Sequence, residues 1–236
     1  MKSLILTTAA LALTAGMGLA DTVRLGTEGA YPPYNFLNDN GEVDGFEREL
    51  GDELCKRAEL TCEWVTNDWD SIIPNLVSGN YDAIIAGMSI TEEREEVVDF
   101  TQGYTPPSPS AYAALSADVD LTGGVIAAQT ATIQANHVVD TGATLVEYPT
   151  PDETLAAVRA GEADAVIADK DYLEPEVEAS DLIFVGDDVP LGGGIGMAFR
   201  ESDDEMRAKF DAAITSMKED GSLNTLIEKW EVGGTW

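Results

Sequence analysis

The sequence predicts an α/β protein of two similar lobes, each a mainly parallel sheet flanked by helices. Three observations lead there. Apolar runs of strand character alternate with segments whose apolar residues recur at helical spacing. One helix–strand joint occurs twice: Gly79-Asn-Tyr-Asp-Ala-Ile-Ile-Ala86 aligns without a gap on Gly161-Glu-Ala-Asp-Ala-Val-Ile-Ala168. Hydrophobic residues make up 44% of the 236, enough for two small cores despite a formal charge of −31.

Taken in order, the chain opens on an address. Lys2 precedes the apolar run Leu4–Leu13, and small residues lead to Gly18-Leu19-Ala20. A short basic region, an apolar stretch of roughly ten residues and a small-residue cleavage site are the parts of a secretory signal. Residues 1–20 are therefore expected to be removed after Ala20, and the rest exported. No later apolar run approaches the ~18 residues a membrane span needs. The negative surface makes nucleic acid and anionic membranes poor partners.

Val23-Arg24-Leu25-Gly26 alternates as a strand and runs into a Pro-rich turn at Tyr31–Tyr34. Glu47–Ala58 reads as a helix, with Leu50, Leu54 and Ala58 on one face, and Glu63–Thr66 as a short strand. Asp68 is expected to cap a helix carrying Ile72, Ile73, Leu76 and Val77, with Pro74 near its first turn and Gly79 at its stop. Asp82–Ala86 then reads as a buried strand. In the second copy Leu155 to Val158 supplies the preceding apolar helix. Cys55 and Cys62, close together in an exported chain, read as a disulfide joining that first helix to the next strand. Two buried free thiols are the alternative. A metal site is not expected, because His137 is the one histidine.

Parallel sheets bind ligands beyond the carboxyl ends of their strands. Gly87-Met88-Ser89-Ile90-Thr91 follows the first repeated strand, and Asp169-Lys170-Asp171 follows the second. Lobes that face each other would bring these ends together across a cleft, with amides, hydroxyls and a carboxylate around one small ligand.

At these residues the chain resembles the periplasmic solute-binding proteins of the polar amino-acid family, the receptors of ABC importers. The resemblance rests on Gly26-Thr27-Glu28-Gly29-Ala30-Tyr31-Pro32-Pro33-Tyr34, Asp44-Gly45-Phe46-Glu47, the Cys55…Cys62 pair, Asp70-Ser71-Ile72-Ile73-Pro74-Asn75-Leu76 and Gly87-Met88-Ser89-Ile90-Thr91-Glu92-Glu93-Arg94. The Gly161…Asp169 strand and Asp220-Gly221-Ser222-Leu223…Trp230 extend it. It implies a type II periplasmic-binding fold, with lobe one at residues 21–106 and 192–236 and lobe two at 107–191. A two-segment hinge is expected near Tyr104–Pro109 and Gly186–Gly194.

The resemblance also implies a site. Arg94 would fork onto a ligand α-carboxylate, a geometry Lys cannot reproduce, assisted by Ser89 and by Thr132 from lobe two. Asp169, with the Gly87 carbonyl, would take the α-ammonium. Tyr31 and Trp69 would sandwich the ligand side chain, and Glu28 would meet a distal cation. Read without the resemblance, Arg94 is a surface cation beside Glu92 and Glu95, Asp169 a loop acid, and the two aromatics half-buried core. The implied function is capture of an L-amino acid, arginine, ornithine or lysine above others, by cleft closure. The implied partners are that amino acid or a derivative and the membrane permease subunits of an ABC importer. A periplasmic monomer without cofactor is expected. An opine receptor and a prephenate- or arogenate-type dehydratase on the same scaffold are the alternatives; the latter would use Glu28 or Asp169 as a general acid. Departures from the resemblance lie in lobe two, with its short Ser116–Gly124 connection and Ile133 at a commonly polar position, and at Ala86, where several relatives carry a hydroxyl.

Overall fold

The computed structural model describes residues 22–236; the expected signal segment, residues 1–20, lies outside them. The first strand, β1 (Val23–Thr27), leads into a small antiparallel meander of β2 (Ala30–Tyr31), β3 (Asn35–Leu37) and β4 (Val43–Asp44). Then come α1 (Phe46–Arg57), β5 (Cys62–Thr66), a single 3-10 turn over Trp69–Ser71, α2 (Ile72–Val77), β6 (Ala83–Ile84), α3 (Glu92–Glu95) and β7 (Asp99–Phe100). The chain next builds β8 (Ser110–Ala114), β9 (Val125–Gln129), α4 (Ile133–Thr141), β10 (Thr144–Tyr148), α5 (Pro151–Ala160), β11 (Ala165–Asp169), α6 (Lys170–Glu178) and β12 (Ile183–Val189). It returns through β13 (Ala198–Phe199) and closes with α7 (Asp204–Asp220) and α8 (Ser222–Trp230).

Two five-stranded sheets result, in the orders β5-β1-β6-β13-β7 and β10-β9-β11-β8-β12. They share one plan. Three neighbouring strands run parallel, and a fourth runs antiparallel between the third and the edge. The antiparallel strand is in each case the one that has just crossed from the other lobe: β8 after residues 101–109, β13 after 190–197. The chain therefore crosses twice, which is the two-lobed arrangement the alternation and the repeat predict.

The repeated octapeptide has a structural meaning. Gly79 and Gly161 both sit at positive φ, 81° and 74°, just after α2 and α5. Each lets the chain leave the helix in the left-handed conformation that other residues resist. The strands that follow, β6 and β11, are the third parallel strand of their sheets.

Several local expectations are corrected. Strand β6 is confined to Ala83–Ile84, although Ile85 and Ala86 remain buried. Asp68 does not cap a helix through its side chain. The 3-10 turn intervenes, and the Asp68 carbonyl accepts from the Ser71 N–H at 3.2 Å. Residues 186–189 belong to edge strand β12, whose register is interrupted between Val185 and Val189, so the second crossing starts at Pro190 rather than Gly186.

Helix α1 lays Phe46, Leu50 and Leu54, all fully buried, against the first sheet. Its last turn is tied to β5 by the Cys55–Cys62 disulfide. Closing so short a loop removes about 2 kcal/mol of denatured-state freedom. Replacing both cysteines by serine should lower the melting temperature by several degrees with unchanged far-ultraviolet circular dichroism. An unaltered melting temperature would mean that the bridge leaves the unfolded chain's freedom essentially unconstrained.

Candidate ligand-binding site

All the residues predicted for the site except Tyr31 stand at the carboxyl end of a parallel strand or on the loop that follows it. Glu28 follows β1, Trp69 follows β5, and Gly87, Ser89 and Arg94 follow β6. From the second sheet, Thr132 follows β9 and Asp169 ends β11. Tyr31 comes from the meander. All eight line one cavity between the two sheets, together with Ala86, Gln129, Ile133 and Gln134.

Arg94 is half-buried, and among the described residues no carboxylate lies within ion-pair distance of it. Its Nη1 donates to the Ser89 carbonyl at 2.8 Å, and its guanidinium carbon lies 5.3 Å from the centroid of the Trp69 ring. The alternative reading, a surface cation paired with Glu92 or Glu95, is not what the structure has. Desolvation pulls the Arg94 pKa down to about 10, with Asp169 acting in the opposite direction.

Asp169 has both oxygens engaged by neutral donors. Tyr31 Oη donates to Oδ2 at 2.8 Å, and Gln134 Nε2 donates to Oδ1 at 2.8 Å. Desolvation raises its pKa to about 6 against the lowering effect of Tyr31, Arg94 and Gln134. Glu28 accepts from Gln129 Nε2 at 2.6 Å, a contact that joins the two lobes. Its pKa rises to about 7, chiefly through desolvation, with Asp68, Asp152 and Glu47 adding repulsion. Among the described residues no Lys or Arg lies within ion-pair distance of Glu28 or Asp169, so the cavity carries two carboxylates against one guanidinium.

Two expected roles change in detail, and a third residue, Gly87, gains a partner for its N–H. Thr132 caps α4, accepting from the Ala135 N–H at 3.1 Å and donating to the Gln129 carbonyl at 2.7 Å. Its hydroxyl proton is thus committed within lobe two. What the position offers the cavity is its backbone N–H and the unpaired amides of the helix's first turn. Tyr31 stacks on Tyr172 with ring centroids 4.5 Å apart, so one of its faces is already covered. Gly87, at φ 61°, uses its N–H on the buried Glu47 carboxylate, 2.6 Å away.

Gln129 and Gln134 were not expected from the sequence. Both are buried, and both spend amide protons on the site's carboxylates. Only their places, at the end of a parallel strand and within the first turn of the following helix, could have signalled them. Ala131 takes the left-handed conformation at φ 59°, uncommon for a residue with a Cβ. Its carbonyl accepts from Trp69 Nε1 at 3.2 Å, a further link between the lobes.

This cavity, set at the facing carboxyl ends of the parallel strands of two sheets joined by two crossings, defines a two-lobed solute-binding protein. The sequence model of the bacterial extracellular solute-binding proteins, family 3, matches residues 23–233, and the chain belongs to that family. It is 34% identical to the L-arginine-binding protein of Pseudomonas aeruginosa over 88% of this chain and 87% of that one. It is 30% identical to the lysine/arginine/ornithine-binding periplasmic protein of Escherichia coli K12, over 90% and 88%. Among solved structures, a periplasmic His/Glu/Gln/Arg/opine family-binding protein from Silicibacter pomeroyi in complex with lysine is 73% identical. The match covers 91% of this chain and all of that one, with a TM-score of 0.89.

The acids impose a pH dependence on the cleft. In the closed arrangement Glu28 and Asp169 hold protons more tightly than at their ordinary values of 4.5 and 3.8. The closed form binds more protons than an open one, in which water relaxes both shifts. Closure is therefore favoured at low pH and lost as pH rises through the window from about 4 to about 7. Small-angle scattering of ligand-stripped protein should give a larger radius of gyration at about pH 8 than at about pH 4.5. Glu28→Gln should remove about half of that difference, Asp169 supplying the rest; a radius independent of pH, or a reversed trend, would contradict the assignment.

Proposed function

We propose that the chain is the receptor of an ABC importer and captures a basic L-amino acid, lysine, arginine or ornithine, by closing its lobes upon it. The observation that carries this reading is the unequal charge of one cavity, two carboxylates against one guanidinium. A basic amino acid has the complementary set: one carboxylate, an α-ammonium and a distal cation. Arg94, with the first-turn amides of α4, takes the α-carboxylate. Asp169, held by Tyr31 and Gln134, takes the α-ammonium. Glu28 takes the distal cation, and the open face of Trp69 or Tyr31 lies along the aliphatic stem. The lysine complex of the 73%-identical neighbour supports the same ligand class.

Closure follows from where these groups stand. A ligand held first by Arg94, Trp69 and Glu28 brings in Asp169 and the α4 terminus, which shifts the population toward the closed form. Residues 21–106 and 192–236 move as one body and 107–191 as the other, with the crossings as hinge. Removal of residues 1–20 would deliver a periplasmic monomer whose closed form is read by the permease subunits.

One observation favours a second reading. A carboxyl with a pKa near 7, such as Glu28, is poised as a general acid, and a dehydratase would use it so. We give it second place because the chain's family and its curated relatives are binding proteins.

The test is a thermal-shift screen of refolded, ligand-free protein against the twenty L-amino acids, ornithine, octopine and prephenate, followed by calorimetry. Basic amino acids should raise the melting temperature most. Arg94→Ala should weaken every α-amino acid by about 30-fold or more, since a buried charge loses its partner. Glu28→Gln should weaken lysine and arginine while sparing glutamine. Stabilisation by octopine alone would move the ligand to the conjugates, and turnover of prephenate would put the enzyme reading first.

A further inference from the structure

Glu47 is fully buried in the first turn of α1, a position where an isolated carboxylate is costly. Its surroundings explain its presence. Oε1 accepts from the Gly87 N–H at 2.6 Å and from the Tyr104 hydroxyl, and Oε2 accepts from Asn35 Nδ2 at 2.7 Å. The orientation of Asn35 is fixed from its other side, because Asn35 Oδ1 accepts from the Gly29 N–H at 2.7 Å. Burial raises the Glu47 pKa, and these three donors act against that rise.

The donors come from three separate segments. Asn35 lies on β3 and holds the Gly29 N–H, next to Glu28. Gly87 opens the loop that carries Ser89 and precedes Arg94. Tyr104 belongs to the first crossing between the lobes, and its own N–H donates to the Ile195 carbonyl of the second crossing at 2.7 Å. One carboxylate thus ties both lobe-one walls of the cavity to the pair of crossings about which the lobes move.

We infer that Glu47 is the positioning residue of the binding site, setting the Glu28 and Gly87–Ser89 loops relative to the crossings without touching ligand. The inference rests on reading the cavity as an amino-acid site. Its chemistry is specific. The Gly87 N–H and the Asn35 amide can only donate here, one to each oxygen, so the group between them must accept at both ends, and a carboxylate is the side chain of this size that does so. An amide at position 47 would set its own NH2 against that of Asn35, which cannot turn over without losing Gly29.

That conflict provides the test. Glu47→Gln should weaken lysine binding about tenfold, the scale on which one unpaired buried polar group alters an equilibrium. It should also speed amide exchange at Gly29 and Gly87 by about the same factor. Adding Asn35→Asp reverses the pairing: the new amide donates to the new carboxylate, whose second oxygen still accepts from Gly29. The double variant should recover both readouts to within about twofold. Should Glu47→Gln fail to fold, Tyr104→Phe removes a single donor, and it should still raise the lysine Kd and the Gly87 exchange rate.

A lower melting temperature with unchanged lysine Kd and unchanged exchange at Gly29 and Gly87 would overturn the inference, reducing Glu47 to a core residue. So would a double variant no better than Glu47→Gln. Wild-type protein that binds no amino acid would instead defeat the functional reading; the two amide exchange rates would then decide the positioning role alone.

Discussion

The cavity's charge balance is the constraint on which the rest depends. Glu28 and Asp169 face one guanidinium, Arg94, in one half-buried cavity. Desolvation pushes both acids up and the arginine down, to about 7, 6 and 10. Each shift measures how poorly the cavity's own groups replace water around a charge. Neutral donors do part of that work, Gln129 on Glu28 and Tyr31 with Gln134 on Asp169. A cationic ligand would do more, since its charges add Coulombic attraction to the hydrogen bonds.

The architecture makes this concentration of charge possible. Carboxyl ends of parallel strands present loops and helix N-termini on one side of a sheet, and two such sheets face each other here. Their shared strand order follows from two crossings, each delivering one antiparallel strand into the lobe it enters. The lobes meet through Glu28–Gln129, Tyr31–Asp169 and Trp69–Ala131. Near the crossings Asp171 of α6 gathers Tyr34, Ser108 and the Gly233 N–H. The first three contacts lie at the cavity, whereas Asp171 links α6 to Ser108 of the first crossing and, through Tyr34 and the Gly233 N–H, to the body of the first sheet beside it.

Much of this was legible in the sequence, and for identifiable reasons. The repeated glycine–strand joint is local, so two similar sheets could be read from it. The cysteine spacing is local as well, and the disulfide stands where expected. The eight residues carried over by resemblance line one cavity because strand-end loops keep their register in a family. What escaped notice depends on distance in space. Gln129 and Gln134 look like ordinary polar residues until the lobes close. Glu47 reads as one more acid among 44 until three donors from remote segments meet on it. Strands β7 and β13, two residues each, lie below any periodicity, and a 3-10 turn separates Asp68 from the helix it is expected to cap.

The most direct measurement of the central claim compares two ligands that differ only at the distal end. Calorimetric titration of ligand-stripped protein with lysine and with 2-aminoheptanoate, in which a methyl group stands where lysine has its ammonium, isolates the charge that Glu28 is held to meet. The charge-balance account predicts that lysine binds tighter by about 30-fold or more, as expected when a buried charge gains its partner. Equal affinities would mean that the cavity recognises the amino-acid head alone and that its second carboxylate has another use.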